Sequence, residues 1–377
     1  MLKLLFPALL CFAVLPAQAQ VYYVYVAAES QDVVDLVRFD SATRTAEVAK
    51  RIEVGAWPTE IEGPHGLAVD PSGDYWYVSL AHGQPFGKIV KYRTGTDEKV
   101  GEVEVGLFPA TMQLSPATGL LYVVNFNLHG KHEPSSVSIV EPVTMTEVTR
   151  TPTGVMPHGS RLSPDGRRQY SVAMMDGLLY EMDAETFEVT RTLHTGTGAP
   201  RVMDVQVAYD STGAHAGHGA GAHAGMEMGR AAPKPTWVHP HPTAPYVYVA
   251  NNGTDEIVEV DLEAWTITRR FQTQGAPYNL EVTPDGQYLV ASQKKGGTTG
   301  VFALKTGEEV VRLPNTRGVT HGVAIAPDGR FAFVSVEGVG GEPGAVDVID
   351  LRTVEKVATV DVGKQAGGIA FWKIDAQ

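Results

Sequence analysis

One pattern recurs along the 377 residues and constrains the fold more than any other feature. Each copy has an anchor tripeptide, an apolar alternation, a Pro-Asp-Gly-like turn, and then a run rich in aromatic residues and valine. From Gly63 the chain reads GPHGLAVDPSGDYWYVS, from Phe108 FPATMQLSPATGLLYVV and from Met156 MPHGSRLSPDGRRQYSV. From Lys234 it reads KPTWVHPHPTAPYVYVA, from Ala276 APYNLEVTPDGQYLVAS and from Val319 VTHGVAIAPDGRFAFVS. A seventh copy, QAGGIAF from Gln365, stops after its first strand, while VYYVYVAAES from Val21 supplies the run that this copy lacks. The two half-units complement each other, so the expected architecture is a ring closed by both termini, with no bare sheet edge left over.

The anchor positions are His65, Ala110, His158, Thr236, Tyr278, His321 and Gly367, spaced 45, 48, 78, 42, 43 and 46 residues apart. Six gaps and one closure make seven units. Each unit continues into a second hairpin, such as LLYEMDAETFEVTRTL from Leu178 or IVEVDLEAWTITRRF from Ile257, which alternates apolar and polar residues as half-buried strands do. Four strands per unit predict an all-β, seven-bladed β-propeller of four-stranded antiparallel blades spanning residues 20–377. The long spacing holds an insertion at about 198–233 whose Gly and Ala content, in GAHAGHGAGAHAGMEMG from Gly213, reads as a loop. Ala199-Pro200-Arg201 also resembles an anchor, but Lys234 keeps the register without a gap and is taken as the start of the fifth repeat.

The turn followed by YVYVAN (Tyr246 to Asn251) or YVVN (Tyr122 to Asn125) resembles the YVTN-type β-propeller repeats of exported proteins, over essentially the whole chain after residue 19. That resemblance implies the fold. For function it implies a range: surface proteins, lactonase-like enzymes, and relatives of the propeller domains of nitrous oxide reductase and dissimilatory nitrite reductase.

Residues 1–19 read as a signal peptide: Lys3, an apolar run from Leu4 to Leu15, and Ala17-Gln18-Ala19 as a cleavage site. A periplasmic or secreted protein beginning at Gln20 is expected, with no membrane span because no later apolar segment is long enough. The only cysteine, Cys11, lies in that peptide. Disulfides, c-type haem attachment, iron-sulfur ligation and thiolate copper sites are thereby excluded from the mature chain. A net charge of -13 without a basic stripe argues against nucleic acid.

The histidines carry the sharpest signal. His65, His158 and His321 occupy one repeat position at the start of inner strands, where strand ends ring the central channel. His82, His129 and His132 fall in second-to-third strand loops on the same face. Six imidazoles on one rim point to a metal centre of copper, with zinc as the alternative ion, since imidazole suits both; catalytic or substrate-binding histidines without metal, and histidines that only hold neighbouring blades, are the other readings. His215, His218, His223, Met226 and Met228 in the insertion form a second cluster of imidazole and thioether, suited to loading copper. Glu60, Glu62, Asn251, Lys294 and Glu337 fall near the same face as supporting or solvated groups, and Met174 and Met175 read as packing. His239 and His241 precede a turn at the opposite end of their blade and read as structural.

Three functions remain compatible with these residues. One is a copper-dependent oxidoreductase, similar to the nitrous oxide reductase type in blade count and radial placement of His, and needing an external electron-transfer protein because it has no Cys-bearing entry domain. Another is a metal-handling protein that takes its ion from a donor. The last is a propeller without metal, either a lactonase-like hydrolase, with Asn251, Asn279, Glu62 and Glu337 near the channel, or a scaffold for proteins.

Overall fold

A computed structural model describes residues 19–57, 59–83, 85–201 and 231–376. They form seven antiparallel sheets. Six have their strands in chain order, from an inner strand to an outer one. The inner strands of those six are Pro64–Val69, Pro109–Leu114, Pro157–Leu162, Pro235–Pro240, Pro277–Val282 and Val319–Ile325. The remaining sheet takes its inner strand, Ala366–Ala376, from the C-terminus and its other three from Gln20–Ala28, Val33–Asp40 and Thr45–Glu53. Counting from this closing sheet as blade 1, the molecule is a seven-bladed β-propeller. Each inner strand lies against the next around the ring.

Closure is a packed joint as well as a hydrogen-bonded one. Val21 pairs with Asp375 and Tyr25 with Ala370, and the side chains of blade 1 interlock with those of blade 7. Tyr22 and Phe39 meet Phe331 edge-on at 5.0 and 4.9 Å between ring centroids. Burying an aromatic side chain of this kind stabilises by roughly 2–3 kcal/mol. On the other side, Trp76 stacks between Tyr25 and Tyr92 at 4.8 and 4.3 Å, joining blade 1 to blade 2.

The second strands, such as Leu121–Asn125, are buried throughout because neighbouring blades cover both faces. Outer strands such as Lys99–Val105 keep the alternation of a half-exposed edge. The Pro-Asp-Gly turns need their glycine: Gly166, Gly286 and Gly329 all have φ near +70°. Among the described residues the only helical element is the 3-10 turn Glu29–Gln31, and no helix is long and apolar enough to cross a membrane.

The fifth repeat starts at Lys234 as expected. Pro200–Arg201 forms a short fifth strand on the outer edge of blade 4, where Leu193 pairs with Pro200. The resemblance of Ala199-Pro200-Arg201 to an anchor therefore reflects an added edge strand.

Candidate functional site at the channel mouth

A β-bulge sits at the anchor of every blade. The pairing of inner with second strand slips between Pro64 and Leu67, Pro109 and Thr111, Pro157 and Ser160, and Pro235 and Trp237. It slips again between Pro277 and Leu280, Thr320 and Val323, and Ala366 and Ile369. A bulge leaves a residue unpaired and re-aims its side chain, so the anchors are freed from the ladder at the mouth of the channel. Neighbouring blades take up the freed carbonyls: Thr111 Oγ1 donates to His158 O at 2.8 Å and Ser292 Oγ to His321 O at 2.6 Å. The glycine after an anchor permits a close approach of the neighbouring inner strand. A Cβ on Gly66 would lie 2.4 Å from Ala110 O, and one on Gly368 2.0 Å from His65 O.

The three anchor histidines converge from blades 2, 4 and 7. The His65 ring lies 6.1 Å from His158 and 5.6 Å from His321 between centroids, and all three are buried. His158 Nδ1 donates to Thr236 O at 3.0 Å, which leaves Nε2 to accept from the Tyr278 hydroxyl at 2.8 Å. Burial, with the charge of His65, pushes His158 down to about 3, so it is neutral at physiological pH. Burial and then Lys294 hold His321 well below the usual imidazole range. Burial, reinforced by Glu337 and Glu29, raises Tyr278 and keeps its hydroxyl protonated.

Charged groups form a second tier on blades 6, 7, 1 and 2. Glu29, in the 3-10 turn, accepts from His65 Nδ1 at 3.0 Å and pairs with His82 Nε2 at 2.7 Å. Burial would push this carboxyl up, but the charge of His65 and the hydrogen bonds from both histidines outweigh it and hold Glu29 well below the carboxylate range. The same hydrogen bond raises His82 against its burial. Lys294 Nζ pairs with Glu337 Oε1 at 3.1 Å, 4.2 Å from the centre of the Tyr278 ring, and that same Glu337 oxygen stands 3.7 Å from His321 Nε2.

The expected residues divide clearly. His82 joins the cluster through Glu29, and His129 packs against His82 at 5.5 Å and Phe108 at 5.3 Å. His132 is exposed in the same loop. Lys294 and Glu337 belong to the site, Asn251 is buried with its amide on Thr195 O, Glu62 accepts from Ala56 N, and Glu60 is exposed. Met174 packs with Phe108 and Phe126, whereas Met175 is exposed. His215, His218, His223, Met226 and Met228 lie outside the described residues, as does the signal peptide up to residue 18. Among the described residues, no group of three His, Cys, Asp or Glu side chains is arranged to hold a metal ion.

Residues the histidine pattern did not single out complete the site. Among the described residues, Asn279 Oδ1 and Trp237 Nε1 are buried without a hydrogen-bond partner, and both residues line one cavity of about 30 Å³ with His65, His158, His321 and Arg161. Asn279 and Trp237 follow an anchor by one position and Arg161 by three, so the repeat register itself was the signal that could have found them. His239, read as structural, shares Arg161's position in the next blade. Its Nε2 is 3.9 Å from Glu281 Oε1 in the channel, while His241 keeps a turn role, accepting from Ala244 N at 2.9 Å. Glu29 had no comparable signal.

The fold is similar to that of Kuenenia stuttgartiensis hydrazine synthase, with a TM-score of 0.59 and 20% identity, over 80% of this chain and 81% of that chain. At that identity the likeness concerns the fold alone. No family model matches the chain, and no curated protein matches its sequence.

Proposed function

We propose that this is an exported propeller that binds a small polar molecule at the imidazole-lined mouth of its channel. The observation that carries the reading is the pair of buried polar atoms on Asn279 and Trp237, unpartnered among the described residues, around one cavity. Each such atom costs about 1–3 kcal/mol if left unmet, and a bound molecule offers hydrogen bonds to both. A cavity of about 30 Å³ holds about two water molecules, so the ligand has only a few heavy atoms. Tyr278 and His158 add a neutral hydroxyl-imidazole pair beside it.

The test is titration of the full mature chain with formamide, formate and nitrate, followed by the indole N–H resonance of Trp237, assigned with Trp237→Phe. At least one probe should shift it saturably, and Asn279→Ala should weaken that binding about fivefold or more, the loss of one hydrogen bond. If none of the probes moves the resonance, the reading fails.

A metal ion is the second reading, favoured by one observation. Glu29 holds His65 through Nδ1 as a carboxylate behind a metal-bound histidine does. In this reading His65, His158 and His321 take copper or zinc, with His82 and His129 beside them, and His158 Nε2 must first leave the Tyr278 hydroxyl. Redox turnover and an external electron-transfer partner belong to this version. Elemental analysis of untagged protein after copper or zinc supplementation decides it: about one equivalent, lost in the triple His-to-Ala variant, supports it, and less than about 0.2 equivalents excludes it.

A further inference from the structure

We infer that the ligand of this cavity is a small planar oxyanion, carboxylate-like in shape, whose charge is met by Arg161. This rests on the small-molecule reading above and names the ligand class.

Arg161 stands in the channel wall on the inner strand of blade 4, three residues beyond His158. Its Nη1 donates to Ser160 O at 2.9 Å, and its guanidinium lies 4.6 Å from the Trp237 ring centre. Among the described residues no carboxylate comes within ion-pair distance of it. The equivalent channel positions in the other blades are Ala68, Gln113, His239, Glu281, Ala324 and Ala370, so Glu281 is the sole acid in this layer.

Glu281 feels the charge of Arg161 through space but makes no ion pair with it. Its Oε2 accepts from Ile325 N at 2.7 Å, its Oε1 faces His239 Nε2 at 3.9 Å, and burial pushes its carboxyl up to about 7. His239 donates its Nδ1 hydrogen to Pro240 O at 2.8 Å, and burial lowers it to about 3, so it adds no positive charge. Gln113 Oε1 is committed to Leu162 N at 2.8 Å. The remaining N–H groups of Arg161 are the cationic donors of the cavity it shares with Trp237 and Asn279.

Size and donor geometry select the ligand. A guanidinium presents a planar fork that matches a planar oxyanion in two hydrogen bonds. The cavity admits about two water volumes, which suits formate or nitrate better than a tetrahedral phosphate ester. Of the histidines lining the cavity, His158 and His321 are held neutral and the charge of His65 is met by Glu29 at 3.0 Å, so Arg161 supplies the selectivity for charge.

Titration with formate, nitrate and neutral formamide separates the claims. Formate and nitrate should bind, formamide should bind at least about tenfold more weakly, and Arg161→Gln should weaken the anions about tenfold or more with little change for formamide. Arg161→Lys, which keeps the charge and loses the fork, should fall between the two and serves if Arg161→Gln does not fold. Formamide binding as well as formate, or anion affinity unchanged in both variants, would overturn the oxyanion assignment while leaving the small-molecule reading intact. No binding by any probe ends both.

Discussion

The histidines at the channel mouth and the arginine below them meet their polar needs in opposite ways. At the mouth, histidines are tied to the protein: His65 and His82 to Glu29, and His158 to Thr236 and Tyr278. Three residues further along the inner strand, Arg161 has one side-chain hydrogen bond, to a backbone carbonyl, and a distant acid. A group whose partners come from the fold contributes to stability, whereas a group whose partner is missing costs stability until a ligand supplies it. The contrast separates residues that build the rim from residues that recognise what enters it.

The largest effect should come from the mouth. Glu29→Ala leaves two histidines without their shared carboxylate and should destabilise by about 3 kcal/mol in urea unfolding. Its pH profile sharpens the point. Glu29 is depressed, so its contribution is present above the unfolded carboxylate value, about 4.3, and is lost as pH falls through the folded one. His82 is raised, so its contribution is full below about 6.5 and fades as pH rises through its higher folded value. Wild type should gain most over Glu29→Ala between these limits. A difference that does not vary with pH would show the contact to be neutral packing.

Gly368→Ala should cost about 2 kcal/mol by driving a methyl into the His65 carbonyl and prising blade 1 from blade 2. A shift in melting temperature measures it, and no shift would mean that the close approach of these strands is not required. The smallest effect belongs to the arginine. Arg161→Met should leave stability within about 0.5 kcal/mol of wild type or raise it slightly, because an unpaired cation is replaced by an apolar side chain of similar length. A loss comparable to that of Glu29→Ala would erase the distinction between the histidines and the arginine.

Much of this was legible before any coordinates. The anchor register located His65, His158 and His321 on one rim because a propeller repeats its backbone path, and equal repeat positions land at equal depth. The same register also held Arg161, His239 and Glu281, but a histidine that recurs draws attention and an arginine that occurs once does not. Glu29 was out of reach, since it meets His65 and His82 only after the N-terminal strand has docked on the C-terminal one. The arrangement of the six rim histidines as one ligand set was also not written in the chain: His158 turns its free nitrogen to Tyr278, and His132 stays in solvent.

The sequence by itself determined a ring of seven blades, its closure by both termini, and the depth of each anchor, because these follow from local periodicity and turn chemistry. Only the tertiary structure decided which nitrogen of each imidazole is spoken for, which buried atoms lack a partner, and that Arg161 has no ion-pair partner among the described residues. Those outcomes depend on contacts between blades distant in the chain, where a bulge or a missing Cβ sets who can touch whom.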